Sequence, residues 1–152
     1  MSKRCLLVLS TFRYADEAVS AAFERAEDGL DVLYILGDAT KRSVDHNVSA
    51  AGHLGTGPRE DVEHALDAVH ERMRDDRLDA LRMRAEDDGV DLSIRQERGK
   101  FYELVQAAAD EYERMVLVGP PRPFWRKLFG SKTTRLAEQL RARGLDVTLV
   151  EA

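Results

Sequence analysis

The sequence contains little cysteine and no long apolar run, and both shortages narrow the classes of protein that it can encode. Cys5 is the only cysteine among 152 residues, so an intrachain disulfide is impossible. It lies in the apolar run Cys5–Leu9, where we expect a small buried hydrophobic side chain rather than a reactive thiol. This run is too short for a secretory signal, and no other run approaches the roughly 18 apolar residues of a membrane span. We therefore expect a cytoplasmic protein with no membrane span.

An excess of positive charge is also absent. The formal net charge is -5 and the pI is about 5.4, whereas a general nucleic-acid-binding protein needs a basic face for phosphate contacts. We expect no nucleic-acid partner. Hydrophobic residues make up 43% of the chain and charged residues 34%, as in an ordinary globular protein. The length fits one domain over residues 1–152.

Five short apolar runs predict β-strands, and their continuity predicts where each strand lies in a sheet. The first, second and fourth runs are nearly continuous, as in strands that are covered on both faces of a parallel sheet. Polar residues interrupt the third and fifth runs, which is typical of strands nearer an edge. The runs are Cys5–Leu9, Val32–Leu36, Val90–Ile94, Met115–Val118 and Val147–Val150.

Helical patterns separate the predicted strands. They cover Tyr14–Asp28, Pro58–Asp88, Lys100–Arg114 and Ser131–Arg143, and the second is either one long kinked helix or two helices. Strands that alternate with helices predict an α/β fold, a doubly wound five-stranded parallel sheet. The right-handed crossover rule leaves few topologies, and we expect the strand order 3-2-1-4-5.

One segment, Thr40–Gly57, has no clear period and is polar and rich in small residues. A long structureless segment in a compact domain is usually mobile or functional, so we expect a mobile loop here. Its histidines, His46 and His53, have no tight metal-ligand spacing, and His64 and His70 do not share a helix face. We therefore expect no metal site.

The predicted topology also locates a ligand site. In an open α/β sheet, ligands bind beyond the carboxyl ends of the strands where the winding reverses, which is between strands one and four in this order. The segments that leave those ends are Ser10–Arg13 and Gly119–Arg122. The next predicted helix begins at Gly130–Thr134, where free N–H groups, hydroxyls and the helix dipole favour an anion.

Two interpretations of this basic loop and helix start remain open. Arg122, Arg126, Lys127 and Lys132 supply positive charge on an acidic protein, which favours phosphate binding. Alternatively, Ser131 is an ordinary N-cap and the intervening Pro-Phe-Trp stretch folds back as a hydrophobic lid. The loop does not match the Walker A pattern, because it has no Gly-Lys-Thr sequence.

The ordered set of motifs resembles the universal stress protein family over nearly the whole chain. The first strand, helix and second strand of that family correspond to "CLLVLS", the Tyr14–Asp28 helix and "VLYIL". The middle glycine and helix correspond to "ERGKFYELVQAAAD". The closing strand, phosphate loop, helix and last strand correspond to "MVLVG", "GSKTTRLAEQL" and "DVTLV".

This resemblance implies an adenine-nucleotide alpha-hydrolase-like sandwich that binds ATP or another adenine nucleotide and pairs as a homodimer through its last strand. The implied base and ribose contacts are Ser10, Thr11 and Ile35. The implied phosphate contacts are Gly119, Arg122, Gly130, Ser131, Lys132 and Thr133.

Two positions depart from the pattern of the ATP-binding members. Arg122 replaces their middle glycine, and Ser10 replaces the aspartate that ends their first strand. The basic aromatic loop is more similar to the stress-protein-like segment of bacterial potassium-sensor kinases, which in some members is linked to cyclic dinucleotides. An arginine at the middle position could contact a phosphate itself.

Three functions follow from these patterns. The first is a stress-response or regulatory protein that binds an adenine nucleotide between strands one and four. The second is a regulatory module that binds no nucleotide and acts through protein partners. The third, an ATP-hydrolysing enzyme, ranks last because the sequence places no general base or metal-binding carboxylate near the loop.

Overall fold

The protein folds as an α/β sandwich with one central sheet. The structure is a computed structural model that describes residues 4–36, 56–120 and 132–152. In chain order the elements are β1 (Cys5–Ser10), α1 (Asp16–Glu24), β2 (Leu30–Leu36), α2 (Thr56–Asp88), β3 (Leu92–Arg98), α3 (Phe101–Ala108), β4 (Arg114–Gly119), α4 (Lys132–Ala142) and β5 (Asp146–Glu151).

The sheet confirms the predicted architecture. Its five strands are all parallel and lie in the order β3-β2-β1-β4-β5. The three strands with nearly continuous apolar runs, β1, β2 and β4, are central, and the two interrupted strands are the edges. The physical reason is that a central strand is covered by helices on both faces, whereas an edge strand tolerates polar side chains.

Two helix layers cover the two faces of the sheet. Along β1, Leu7 and Leu9 pack against α1 and α2, and Leu6 and Val8 pack against α3 and α4. This alternation follows from the two-residue period of a strand. The Cys5 thiol is fully buried in the first layer, and burial raises its pKa to about 11. The prediction of a buried hydrophobic cysteine is confirmed.

The long helix α2 is one continuous helix rather than two. Its last turns lie on the sheet, where Leu78, Leu81 and Ala85 are buried. It ends at Gly89, whose φ of 69° lets the Val90 N–H donate to the Ala85 carbonyl at 2.9 Å.

Several element boundaries differ from the predicted ones, and backbone contacts account for three of them. Strand β3 begins at Leu92 rather than Val90, because Val90 is used in the turn that ends α2. It continues to Arg98, since its backbone pairs with β2 although its side chains become polar. Helix α3 ends at Ala108, six residues earlier than Arg114, because Arg114 already pairs with Cys5 in the sheet.

The predicted loop lies almost entirely outside the described residues. Of the predicted loop Thr40–Gly57, only the last two residues are described, and they belong to α2. None of the helices within the described ranges is long and apolar enough to cross a membrane.

Candidate functional site

The carboxyl ends of β1 and β4 lie side by side, which is the arrangement that the ligand prediction requires. The two strands pair in parallel, with Cys5 opposite Arg114 and Leu7 opposite Val116. Ser10 therefore ends β1 at the same edge of the sheet at which Gly119 ends β4. The two strand ends between which the sequence predicts a ligand site are therefore adjacent.

A tight turn follows β1 at this edge. The Ser10 N–H donates to the Arg13 carbonyl at 3.0 Å, and the Arg13 N–H donates to the Ser10 hydroxyl at 3.2 Å. Ser10 is nearly buried, so its side chain is committed to this turn. The turn directs the Arg13 side chain toward β4 and α4.

The Arg13 guanidinium bridges the crevice. It donates to the Thr133 hydroxyl at 2.9 Å and to the Val118 carbonyl at 3.1 Å. Its carbon lies 3.8 Å from the centre of the Phe101 ring, and one nitrogen lies 3.5 Å from the Tyr102 hydroxyl. Arg13 thus connects β1, α3, β4 and the first turn of α4.

Arg13 carries a charge that no carboxylate balances in residues 4–36, 56–120 and 132–152. Its contacts there are with a carbonyl, two hydroxyls and two aromatic rings. Burial lowers the pKa of the Arg13 guanidinium from its usual value, because the charged form loses hydration that neutral partners replace only in part.

Arg77 of α2 contacts the same turn from the other face of the sheet. It donates to the Thr11 carbonyl at 3.1 Å and to the Tyr34 hydroxyl at 3.0 Å. It also stacks on the Tyr14 ring, with its guanidinium carbon 4.1 Å from the ring centre. Its contacts within the described ranges also include no carboxylate.

Several predicted site residues come together at this edge. Ser10 and Thr11 form the turn, Gly119 ends the neighbouring strand, and Ile35 lies opposite Ser10 in the β1–β2 register. Thr133 is fully buried, and its hydroxyl accepts from Arg13 and lies 3.4 Å from the Tyr102 hydroxyl.

The other predicted phosphate contacts lie at or beyond the limit of the description. Lys132 is the exposed first residue of α4. Arg122, Gly130 and Ser131 lie outside the described residues. All nine residues remain predictions as ligand contacts.

Sequence reasoning missed the two arginines that dominate the described part of the site. In the sequence, Arg13 stands out only as the last residue of the segment after β1, and the pattern of Pro58–Asp88 does not single out Arg77. The sequence does not distinguish these two arginines from the others, because the chain contains 18 arginines spread over its length. Within the described ranges, no group of three or more His, Cys, Asp or Glu side chains could hold a metal ion.

Comparisons with solved structures agree with this architecture. Hypothetical protein MJ0577 superimposes with a TM-score of 0.58 at 14% identity, over 100% of this chain and 98% of that chain. A protein from the universal stress protein family of Burkholderia pseudomallei superimposes with a TM-score of 0.53 at 21% identity, over 99% of this chain and 96% of that chain.

A third structure is a universal stress protein in complex with cAMP, at 15% identity over 99% of this chain and 98% of that chain. Its TM-score is 0.43, and this superposition carries no argument about the present chain. No protein-family model matches the sequence, and no curated protein matches it. The two better superpositions cover the whole chain. This chain therefore has the fold of a universal stress protein, as the resemblance of its sequence motifs predicted.

Proposed function

We propose that this chain is a regulatory protein of the universal stress type, active in a stress response, that binds an adenine nucleotide between β1 and β4. The observation that carries this proposal is the Arg13 guanidinium, which lies partly buried in the crevice with no carboxylate partner in the described part of the chain. A cation in that environment favours an anionic ligand.

The contacts of Arg13 are of a kind that a phosphate can replace or extend. A guanidinium has five N–H donors, and Arg13 directs its hydrogen bonds at neutral oxygens. A hydrogen bond from arginine to a phosphate oxygen is roughly twice as strong as one between neutral groups. The first turn of α4 lies beside Arg13 and adds the positive end of a helix dipole.

The remaining contacts follow from the position of the strand ends. We assign the base and ribose to the edge formed by Ser10, Thr11 and Ile35. We assign the phosphates to the edge formed by β4 and α4. The residues of this second group are Gly119, Arg122, Gly130, Ser131, Lys132 and Thr133.

Isothermal titration of the purified protein with AMP and ATP tests this function. We expect Arg13→Gln to weaken nucleotide binding by about tenfold or more, because a hydrogen bond to a charged group is lost. The matched control is Arg25→Gln, which removes an arginine paired with Asp146 at the opposite edge of the sheet. Co-purified nucleotide detected by mass spectrometry would support the same conclusion.

Two results would contradict the nucleotide proposal. One is a wild-type protein that shows neither heat of binding nor a rise in melting temperature with AMP or ATP. The other is an Arg13→Gln protein that folds normally and binds both nucleotides as tightly as the wild type.

The second candidate function is a regulatory module that binds a protein partner and no nucleotide. The observation that favours it is again Arg13, because its side chain already occupies the space between Val118 and Thr133. Two large apolar side chains of α2 are also exposed, Val69 at 55% and Met83 at 67%. The absence of nucleotide binding in the titration would favour this function.

We also propose that two copies of the chain pair through β5. This strand is an edge of the sheet, with β4 on one side only. Edge strands present backbone groups that a second copy can pair with. In the single chain, Arg141 donates to the Val147 carbonyl at 2.9 Å and so covers one of these groups.

A further inference from the structure

The first turn of α3 carries two adjacent aromatic side chains, Phe101 and Tyr102, at the carboxyl edge of the sheet. Gly99 lies between the end of β3 and this helix, and its φ of 151° is a conformation that residues with a side chain rarely adopt. A Cβ atom at Gly99 would also lie 3.3 Å from a methyl carbon of Leu104. The glycine therefore lets the chain pass from β3 into α3 within two residues, which brings both rings beside the turn that follows β1.

Phe101 and Tyr102 form a corner of two nearly perpendicular rings, which we call the aromatic corner. Their ring centres are 5.3 Å apart, and the ring planes meet at 85°. The Arg13 guanidinium carbon lies in this corner, 3.8 Å from the centre of the Phe101 ring and 5.6 Å from that of the Tyr102 ring. Both distances are within the range of a cation–π contact. Both rings are partly buried and pack against the apolar cluster between the sheet, α3 and α4, so the position of the corner is fixed.

The aromatic corner stabilises a buried cation without cancelling its charge. The face of an aromatic ring attracts a cation through its quadrupole but carries no net charge of its own. A carboxylate would neutralise the arginine, as Asp31 and Asp91 do for Arg4 at the opposite edge of the sheet. No carboxylate contacts Arg13 within the described ranges, so its net positive charge is held in one place and remains available to an anion.

The Arg13 guanidinium also retains hydrogen-bonding capacity. Its Nη1 atom donates to the Val118 carbonyl and to the Thr133 hydroxyl, and its Nη2 atom lies 3.5 Å from the Tyr102 hydroxyl. A guanidinium has five N–H donors. The Nε group and one N–H of Nη2 therefore make no hydrogen bond with the described residues. Arg13 is partly rather than fully buried, so a ligand oxygen can approach it.

Packing alone gives no reason for an arginine in the aromatic corner. Leucine or methionine at position 13 would fill the space against the two rings without the cost of removing a charge from water. A cation that is held by neutral rings and still has free N–H groups is explained better by an anionic ligand.

We propose that Phe101 and Tyr102 are positioning residues of the nucleotide site, which hold the Arg13 guanidinium in place for a phosphate group of the ligand. This inference rests on the proposed function for the identity of the ligand. The two rings act through Arg13 and need no contact with the nucleotide. Removal of the Phe101 ring should therefore weaken binding only in a protein that has Arg13.

Titrations of AMP and ATP into Phe101→Leu test this role, because leucine keeps an apolar side chain and removes the ring face. We expect both affinities to fall by about three- to tenfold. In the Arg13→Gln protein the same change should alter them by less than about twofold. Phe101→Tyr keeps the ring and should bind as the wild type does. The matched control is Phe23→Leu, the same change at a ring of α1 that contacts Arg84 at 4.7 Å, and it should leave both affinities unchanged.

A second measurement needs no ligand. Urea unfolding of the wild type, Phe101→Leu, Arg13→Gln and the double variant gives a double-mutant cycle for the contact between the ring and the guanidinium. We expect Phe101→Leu to lower the free energy of unfolding by less in the Arg13→Gln protein than in the wild type, because the contact is already absent there.

The possible results distinguish this inference from the nucleotide proposal. Coupling in the unfolding cycle, in a wild type that binds neither AMP nor ATP, would contradict the nucleotide proposal and support the placement of Arg13 by Phe101. Nucleotide affinities that Phe101→Leu leaves unchanged, or weakens equally with and without Arg13, would overturn the positioning role alone. Additive losses of stability in the cycle would overturn it too. An equal loss of affinity in Phe23→Leu would show that binding follows general stability, which would also overturn it.

Discussion

At the residue scale, charged side chains at the amino edge of the sheet form a cluster of ion pairs and hydrogen bonds. Arg4 donates to the Asp31 carboxylate through two nitrogens and to Asp91 at 2.8 Å. The Tyr112 hydroxyl donates to the same Asp31 carboxylate. Burial, together with this hydrogen bond to Asp31, raises the pKa of Tyr112 to about 12. This cluster stabilises the fold, whereas Arg13 and Arg77 lack such partners in the described ranges.

The Asp31 carboxylate makes stability depend on pH in a defined direction. Burial alone would raise its pKa, but the hydrogen bonds from Arg4 and Tyr112 lower it below the usual value of 3.8. The unfolded state therefore takes up this proton first as the pH falls. The contribution of Asp31 is fully present above about pH 4 and is lost as the pH falls from there through the lowered pKa.

Replacing Asp31 tests this dependence. We expect Asp31→Asn to lower the free energy of unfolding at neutral pH, and the difference from the wild type to shrink as the pH falls below about 4. Urea unfolding of both proteins between about pH 5 and about pH 2 measures the difference between their free energies of unfolding. The other carboxylates titrate in both proteins, so their contribution cancels in this difference. A difference that stays constant over this range would contradict the assignment.

At the scale of elements, helix α2 has a buried face and an exposed face, and shortening a side chain should affect the stability of the protein differently on each. Leu81 is 2% exposed and Met83 is 67% exposed, although they are two residues apart. We expect Leu81→Ala to lower the free energy of unfolding by about 2 to 5 kcal/mol, because it leaves a cavity under the helix. Met83→Ala should change it by no more than about 0.5 kcal/mol.

Urea unfolding monitored by circular dichroism measures both variants of α2. Similar losses of stability in the two proteins would mean that the buried and exposed faces of the helix are wrongly assigned. A small effect of Leu81→Ala alone would mean that the last turns of α2 do not pack on the sheet.

The elements also show which local patterns could be read from the sequence. Continuous apolar runs correctly predicted the central strands, because burial on both faces selects apolar side chains at every position. The extension of β3 from Ile94 to Arg98 was not predictable in this way, since its polar residues pair with β2 through the backbone. The same limit applies to the end of α3, which the pairing of Arg114 with Cys5 determines.

At the scale of the molecule, two pairs of arginine and carboxylate in the described ranges lie at the amino edge of the sheet, whereas Arg13 and Arg77 lie at the carboxyl edge. Arg25 pairs with Asp146 at 2.7 Å, and Arg114 pairs with Glu27 at 3.1 Å, both at the amino edge. Arg13 and Arg77 lie at the carboxyl edge, and their contacts within the described ranges are with carbonyls, hydroxyls and aromatic rings. Within the described ranges, two arginines without carboxylate contacts thus lie at the edge where the fold predicts a ligand.

Pairing through β5 predicts a specific effect of proline. The Asp146 N–H donates to the Glu113 carbonyl, on the β4 side, whereas the Val147 carbonyl accepts from Arg141. Backbone groups alternate along a strand, so the Leu149 N–H points to the free edge, as the Val147 carbonyl does. We expect Leu149→Pro to convert a dimer to a monomer while the β4–β5 pairing remains.

Light scattering coupled to size-exclusion chromatography measures the mass of the Leu149→Pro protein. The control is Leu149→Val, which keeps the N–H group and should remain dimeric. A monomeric wild type, or a Leu149→Pro protein that folds and remains dimeric, would contradict pairing through this edge.

The sequence by itself determined the five strands, their division into central and edge positions, and the order 3-2-1-4-5, because periodicity and crossover handedness are local properties of the chain. It also predicted that Ser10 and Gly119 would meet. Only the tertiary structure decided which side chains occupy that edge. Arg13 and Thr133 are 120 residues apart, and Arg77 and Thr11 are 66 apart. No local pattern encodes such contacts, because they arise only when helices from different parts of the chain pack on one sheet.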